Sequence, residues 1–279
     1  MKVYISLDME GIAGTYSWMQ EENNRPEVRK CIALQVEWVI DGIHSSKANS
    51  LIEEIVIADS HSRGDSLLYE TTGLDDRLHL ISGYPRPKYM MPAFDNTYDI
   101  IFFVGYHGGI GTLHSVMDHS YSPRFHKIWM NEMPMNESLI NAAYGGFFNV
   151  PVGLVIGDDA LQKQLQVKDS LHWVKYVTTK YSLSRFSVKS KPLNVVKSET
   201  IAAVKSVLDS DISKIPIYKF EPPVKLKIEL QSASMADAVS MMPDVKRIDG
   251  VTIELTHNDY RQIFDAISAI AALADSTKW

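Results

Sequence analysis

The chain has 279 residues, of which 45% are hydrophobic and 22% are charged, and its formal net charge is −6. This hydrophobic content is sufficient for a large core, in one big domain or in two modest ones. The acidic balance argues against a nucleic-acid-binding protein that relies on a broad basic surface. The single cysteine, Cys31, rules out an internal disulfide and is compatible with a reducing compartment.

The hydrophobic segments are short. The apolar run after Lys2 stops at Asp8, so it does not match a signal peptide. No stretch reaches the roughly 18 apolar residues that a membrane helix requires. We therefore expect a cytoplasmic protein that uses neither a membrane nor nucleic acid.

Strands and helices alternate along the first part of the chain. Apolar, β-branched segments predict strands at 3–7, 54–59, 100–107 and from 150 onward. A helix is predicted after the first strand, because one face carries Val28, Ile32, Val36, Ile40 and Ile43. A second helix follows Asn136, which is placed as its N-cap. Continuously apolar strands separated by helices are typical of a parallel sheet covered on both faces.

The later part of the chain has a different pattern. Segments 225–230 and 251–255 alternate polar and apolar residues, as half-exposed strands do, and a helix is predicted at 260–275. The fold class is therefore α/β, with a mostly parallel central sheet covered by helices and a C-terminal α/β extension. We expect a core at 1–187 and a C-terminal portion at 188–279 packed on it, or one continuous domain.

Polar residues cluster where the predicted parallel strands end. Asp8 and Glu10 follow the first strand, His61 follows the second, and His107 ends the third. Ligands bind at the carboxyl ends of strands in open α/β sheets. Side chains two apart on a strand share a face, so Asp8 and Glu10 can converge on one ion. Carboxylates and imidazoles are the ligands that zinc and related metals prefer, so the pattern predicts a metal site.

Each of these residues also has a simpler interpretation. A pair of acids at a strand end can be solvated, Asp59 can cap the following helix, and one strand-end histidine can be an ordinary hydrogen-bonded loop residue. The glycines at 105–111 lack both GxGxxG spacing and a GK[ST] ending, which argues against a nucleotide site. The coincidence of carboxylates and two histidines at one edge of the sheet favours the metal.

Several motifs occur together in a fixed order. Residues 6–11 read SxDxEG, and DSHS at 59–62, GYH at 105–107, VMDHS at 116–120 and NE at 136–137 follow. NAAY at 141–144, VPVGLVIGDD at 150–159, SLSR at 182–185 and SMADAVSMMPDV at 234–245 complete the series. This series resembles the zinc-dependent D-aminopeptidase family over nearly the whole chain.

The resemblance implies a site with two zinc ions per subunit. Asp8 matches the carboxylate that bridges the metals, and the other implied ligands are Glu10, His61, His107 and Glu137. His119 matches the catalytic histidine, which donates a proton to the leaving amine or stabilises the oxyanion. Recognition of a free α-amino group requires a further carboxylate, for which the candidates are Asp158 and Asp159.

The resemblance also implies a substrate and an assembly. The expected reaction is hydrolysis of the N-terminal residue, of D configuration, from a small peptide, and the expected assembly is a large, decamer-like ring. One departure from the family is Gly108-Gly109-Ile110, which replaces a basic residue in an Ala-rich run. A different dinuclear metallohydrolase, such as a phosphoesterase or amidase, and a non-catalytic metal-binding assembly protein are the alternatives.

An apolar stripe near the end of the chain has two interpretations. Met235, Val239 and Met242 share one helical face at i, i+4 and i+7. Methionine fills irregular gaps in cores, so the stripe can be internal packing. Alternatively it can form a subunit interface within a ring.

Overall fold

The strands and helices of the chain are taken from a computed structural model that describes residues 1–277. The strands are β1 (Lys2–Leu7), β2 (Glu54–Asp59), β3 (Leu78–Ile81), β4 (Ile100–Tyr106), β5 (Phe125–Met130), β6 (Met133–Pro134), β7 (Val152–Asp158), β8 (Lys175–Ser184), β9 (Ser187–Ser190), β10 (Val224–Leu230), β11 (Lys246–Arg247) and β12 (Thr252–His257). The helices are α1 (Trp18–Asn23), α2 (Arg25–His44), α3 (Glu137–Phe147), α4 (Asp159–Leu165), α5 (Leu193–Leu208), α6 (Ala233–Val239) and α7 (Tyr260–Asp275). Short 3-10 turns connect some of them.

Two sheets organise these elements. The larger has the order β3-β2-β1-β4-β7-β8-β9, and all of its neighbours are parallel except β8 and β9. The smaller is antiparallel, with the order β11-β12-β10-β5-β6. The expected α/β class with a mostly parallel sheet is confirmed.

The strands at the centre of the larger sheet are buried along nearly their whole length. Strands β4 and β7 are buried at every position, and β1 and β2 at all but the first. Helices α2 and α5 pack together, and one apolar core lies between this pair and the sheet. A second core lies on the other face, where α3 packs on β4 and α7 packs on α3. The predicted parallel sheet with apolar cores on both faces is therefore present.

The smaller sheet covers α7 and draws on both parts of the chain. Strand β10 alternates buried and half-buried residues, as its sequence predicts, and pairs with β5 from the first half. Strand β9 spans the predicted boundary at residues 187–188 and belongs to the larger sheet. Helix α5 follows that boundary and packs with α2 on the same sheet. The division into 1–187 and 188–279 stays a prediction, and these contacts favour its continuous form.

The methionine stripe belongs to the interior. Met235 and Val239 are buried in the core beside α7, and Met242 packs against the same core. The interpretation of this stripe as a subunit interface is therefore wrong, because its side chains are covered by the chain itself. Among residues 1–277, no helix combines the length and hydrophobicity needed to cross a membrane.

Candidate metal centre

Three parallel strands and one helix bring the predicted ligands together. Asp8 directly follows β1, His61 lies just past β2, and His107 directly follows β4. Glu137 is the first residue of α3, where Asn136 caps the helix by accepting a hydrogen bond from the amide of Leu139. The carboxyl edge of the parallel sheet therefore carries the site, as the strand ends predict.

The first group of side chains comprises Asp8, Glu10 and His61, whose ligand atoms lie within 4.8 Å of one another. His61 Nδ1 is 3.3 Å from Asp8 Oδ1 and 3.3 Å from Glu10 Oε2. All three side chains are buried. Two carboxylates and an imidazole converging at this distance form a donor set suited to a zinc-type ion.

The second group comprises His107, His119 and Glu137, again within 4.8 Å of one another. His107 Nε2 is 3.3 Å from Glu137 Oε2, and His119 Nε2 is 3.7 Å from Glu137 Oε1. The rings of His107 and His119 are stacked, with centroids 4.5 Å apart. His119 therefore lies within the cluster, close enough to take part in metal binding or in proton transfer.

Asp8 lies between the two groups. Its Oδ1 faces His61 at 3.3 Å, and its Oδ2 is 3.6 Å from His107 Nε2. One carboxylate thus borders both sets of donor atoms. This is the position that a bridging ligand of a metal pair must occupy.

Several polar atoms of this cluster are buried with an oppositely charged neighbour at 3.3–3.6 Å but without a hydrogen bond. Within residues 1–277, Asp8 Oδ2, Glu10 Oε2 and His107 Nε2 have no hydrogen-bond partner. A buried polar atom without a partner costs free energy, and a buried charge costs more unless it is paired or bound to a metal. These atoms are potential metal ligands that face one another without hydrogen bonds, so the residues present fit a metal pair.

Burial and neighbouring charges set the pKa values of the cluster in opposite directions. Burial and the nearby Glu10 carboxylate raise the pKa of Asp8 to about 7. Burial alone favours a high pKa for Glu10, but His61 and the other imidazoles outweigh it and lower that pKa well below its usual value. Burial disfavours protonated His107, yet Glu137 and Glu10 raise its pKa to about 10. The carboxylates therefore keep the imidazoles protonated until a metal cation displaces those protons.

Neighbouring groups fix the orientation of these side chains. Trp18 Nε1 donates to Glu10 Oε1 at 2.7 Å, and the amide of Tyr121 donates to Glu137 Oε1 at 2.6 Å. His107 Nδ1 donates to the carbonyl of Gly108, which leaves Nε2 facing the cluster. His119 Nδ1 donates to the carbonyl of Met117 at 2.9 Å with the same consequence. Such outer contacts select the tautomer and hold the ring. Sequence patterns gave no signal for Trp18 or Tyr121.

The SxDxEG motif has a structural reason for its serine and glycine. Ser6 Oγ is within hydrogen-bond distance of Ser60 Oγ, the carbonyl of Met90 and the hydroxyl of Tyr106. A Cβ on Gly11 would lie 1.8 Å from the carbonyl oxygen of Tyr106, so only glycine fits there. Ser6 and Gly11 therefore hold the carboxyl ends of β1 and β4 close together, while Asp8 and Glu10 face the site.

A buried lysine supports the loop that follows β1. Lys180, on β8, is fully buried, and its Nζ donates to the carbonyls of Glu10, Ile12 and Thr15 at 2.6–2.7 Å. Burial lowers the pKa of Lys180 to about 7. The sequence gave no indication of this role, because the contact joins residues about 170 positions apart.

Three acids that were considered from the sequence have structural roles. Asp59 Oδ2 accepts the amides of Ser66 and Leu67, so it fixes the loop after β2. Asp158 caps α4, and Asp159 accepts the amide of Ser182 and pairs with a lysine of its own helix. Neither Asp158 nor Asp159 lines the pocket over the cluster. These contacts favour the capping interpretation of this turn over a role in binding an α-amino group.

A pocket of about 290 Å³ gives access to the cluster. The clustered side chains Asp8, Glu10, His61, His119 and Glu137 line its base, and Trp18, Glu21, Glu22, Tyr89 and Tyr121 are among its walls. Glu21 Oε2 is 3.1 Å from His61 Nε2 and stabilises that ring from the outer side. A larger pocket of about 410 Å³ lies behind Gly109 and Asn136 and contains none of the clustered side chains.

A parallel sheet whose carboxyl edge carries a buried carboxylate and histidine cluster defines an α/β protein with a candidate dinuclear metal centre. A family model described as D-aminopeptidase (peptidase M55) matches residues 1–269. The chain therefore belongs to the D-aminopeptidase family of hydrolases, and the resemblance carried by the motifs is confirmed.

A curated relative and a solved structure, both from Bacillus subtilis, are similar to this chain. One is a curated D-aminopeptidase of strain 168, which is 28% identical over 282 residues and covers 100% of both chains. The other is a solved structure described as the Zn-dependent D-aminopeptidase DppA, a self-compartmentalizing protease. It is 26% identical, covers 100% of both chains and superposes with a TM-score of 0.90. The fold of this family thus extends over the whole chain.

Proposed function

We propose that the chain is a zinc-dependent aminopeptidase that removes an N-terminal residue of D configuration from small peptides. The observation that carries the proposal is the position of Asp8 between two groups of donor atoms, several of which are buried without a hydrogen bond. The family and the zinc dependence in the description of DppA support the same chemistry. The residues that would hold two zinc ions are Asp8, Glu10, His61, His107 and Glu137.

When bound, a zinc pair supplies Lewis acidity that polarises a carbonyl group and acidifies water. The protein side chains have separate tasks. Asp8 holds the two halves of the site together, and Trp18 fixes the carboxylate of Glu10. His119 is available for proton transfer, because Nδ1 is engaged with the carbonyl of Met117 and Nε2 faces the pocket. His119 would donate a proton to the leaving amine or donate a hydrogen bond to the developing oxyanion.

Recognition of the free α-amino group is assigned to Glu22. Glu22 lines the pocket over the cluster and is exposed, and its side chain has no ion pair or hydrogen bond within residues 1–277. Its neighbour Glu21 is already engaged with His61 and lies 3.8 Å from Arg25. A free carboxylate at the rim of a metal pocket attracts an ammonium group. Glu22 therefore takes the role that the sequence suggested for Asp158 or Asp159.

The assembly belongs to the same proposal. The relative of known structure is described as self-compartmentalizing, which supports a homo-oligomer for this chain as well. We extend this to the ring-like, decamer-like assembly that the resemblance implies. Enclosure of the sites in such a ring would restrict access to small peptides.

Metal analysis combined with a substrate panel tests the function. The purified protein should bind about two zinc equivalents per chain, and Asp8→Ala should lose both. D-aminoacyl amides with a free amine should be hydrolysed, their N-acetylated forms should not, and Glu22→Gln should raise KM for the free amines.

Three results would contradict the proposal. Absence of zinc uptake would remove the metal site. Faster turnover of phosphate esters than of any amide would identify another dinuclear hydrolase. Bound zinc without turnover of any amide or ester would indicate a non-catalytic metal-binding protein.

A further inference from the structure

The pocket over the metal cluster is adjacent to a second pocket of about 370 Å³. The two pockets share four wall residues, which are Ser62, Tyr89, Tyr121 and Pro123. Tyr121 is next to the cluster itself, since its amide donates to Glu137 Oε1. The second pocket is therefore the neighbouring space for the following residues of a peptide whose first carbonyl is held at the cluster.

Aromatic rings and small side chains form the walls of this second pocket. Tyr89 packs against Tyr121 with ring centroids 5.5 Å apart and against Tyr84 at 6.4 Å. Helix α7 contributes Ser268, Ala271 and Ala272, which leave space along the opposite wall. Such a surface accommodates one or two small residues and is suited to contacts with a peptide backbone.

One cationic side chain in the second pocket is free. Arg63 lines the second pocket and is exposed, and its side chain has no ion pair or hydrogen bond within residues 1–277. The other arginines nearby are engaged: Arg86 lies over the ring of Tyr89 and donates to backbone carbonyls, and Arg124 pairs with Asp275 at 2.9 Å. Arg63 is thus the cation available to an anionic ligand in this pocket.

The backbone explains how one loop serves both pockets. His61 lines the pocket over the cluster, and Arg63 lines the second pocket. Ser62, between them, has a φ of 41°, in the left-handed region, which reverses the chain locally. Arg63 is therefore tied by two peptide units to a predicted metal ligand, so its distance from the reacting carbonyl is constrained.

We propose that Arg63 binds the C-terminal carboxylate of a short peptide substrate and so makes the enzyme selective for free peptide acids of limited length. The inference rests on the proposed function, because it places the scissile carbonyl at the metal cluster. Glu22 at one end and Arg63 at the other match the two charges of a short zwitterionic peptide. A guanidinium pairs with a carboxylate through two parallel hydrogen bonds, whereas an amide cannot replace that anion.

The test compares peptide acids with their amides. The zinc-loaded enzyme and its variants are assayed on D-alanylglycine and D-alanylglycinamide, and on the same pair lengthened by one L-alanine. The wild type should prefer the acid of at least one length. Arg63→Met should raise KM for that acid about tenfold, with kcat and the kinetics of the amides nearly unchanged. Arg63→Lys should restore part of the preference, since it keeps the charge.

Lys175→Gln serves as the control for the loss of one positive charge. Lys175 is exposed at the start of β8, at the opposite edge of the parallel sheet. This variant should keep the acid preference of the wild type. Added salt should weaken the preference in the wild type and not in Arg63→Met, because exposed charges are screened.

The possible outcomes separate this inference from the proposed function. Equal losses on acids and amides in Arg63→Met, or a wild type without acid preference at either length, would overturn the role of Arg63 and leave the aminopeptidase function intact. No hydrolysis of any free-amine substrate by the zinc-loaded wild type would overturn both. A selective rise of KM for the acid, partly reversed by lysine, supports both.

Discussion

His119 Nε2 lies 3.7 Å from Glu137 Oε1 and 4.0 Å from Glu10 Oε1, so distance alone allows it to bind metal or to carry a proton. If it carries a proton, His119→Ala should retain both zinc ions and lose about 10²–10⁴ in kcat. His61→Ala is the matched comparison, because it should lose zinc and activity together. Elemental analysis beside steady-state kinetics separates the two roles. Loss of one zinc equivalent from His119→Ala would make it a ligand, and near wild-type turnover would require another histidine.

Proton release on zinc binding follows from the same cluster. The neighbouring carboxylates raise the pKa of His107 to about 10 and that of His61 well above its usual value. Both imidazoles are therefore protonated at pH 7 without metal, and each must lose its proton to bind zinc. Zinc affinity should rise with pH across the neutral range. Calorimetry in two buffers of different ionisation enthalpy measures the protons released, and a value of zero at pH 7 would show that both imidazoles are neutral before zinc binds.

At the scale of elements, the loop after β1 depends on a residue of β8. Lys180→Met would remove the donor of the Thr15 carbonyl, whereas the carbonyls of Glu10 and Ile12 would keep Thr15 Oγ1 as a donor. An unsatisfied buried carbonyl costs about 1–3 kcal/mol, so we expect a loss of that size in the free energy of unfolding. Zinc affinity should fall as well, because the loop positions Asp8 and Glu10.

Urea denaturation with and without zinc measures both effects. Lys175→Gln, an exposed change on the same strand, should stay within about 0.5 kcal/mol of the wild type. A stable Lys180→Met protein with wild-type zinc affinity would show that the lysine does not support the site.

The elements differ in how far the sequence predicts them. The strand at residues 54–59 and the helix at 260–275 have the predicted bounds, because the first is a short continuous apolar segment and the second repeats apolar residues at helical spacing. Strand β8 was not predicted, since its carboxyl end is mixed polar and partly exposed. The strand-end ligands were visible from the sequence because parallel strands end at one edge. Glu137 came only from the family resemblance, since an acid in the first turn of a helix is common.

Contacts between distant parts of the chain explain what the sequence could not show. Trp18, Lys180 and Tyr121 act through neighbours that only the folded chain brings to them. From the sequence, Asp158 and Asp159 are candidates for binding an α-amino group or for capping a helix, and in the fold the carboxylate of Asp158 caps α4. A capping acid and a ligand acid have the same sequence signature, so only geometry distinguishes them.

For the whole molecule, exposed apolar side chains beside the metal pocket are the candidate contact between subunits. Leu113, in the loop after β4, and Leu183, near the end of β8, are 81% and 55% exposed, and a hydrogen bond from His114 Nδ1 to the carbonyl of Leu183 joins the two segments. Trp18, in the pocket wall, packs against Phe186, which is exposed in the turn between β8 and β9. Burial of Leu113, Leu183 and Phe186 between copies of the chain would remove apolar surface from water and enclose the pocket.

Light scattering at low micromolar concentration tests this arrangement. The wild type should form a species many times the 31.4 kDa chain mass. The double variant Leu113→Glu with Leu183→Glu should dissociate, since it places charges in an apolar contact. Leu51→Glu is the control, because Leu51 is 65% exposed just before β2, at the opposite edge of the sheet. An intact assembly in the double variant would place the contact elsewhere. A fully active wild-type monomer would remove both the ring and its restriction of access to small peptides.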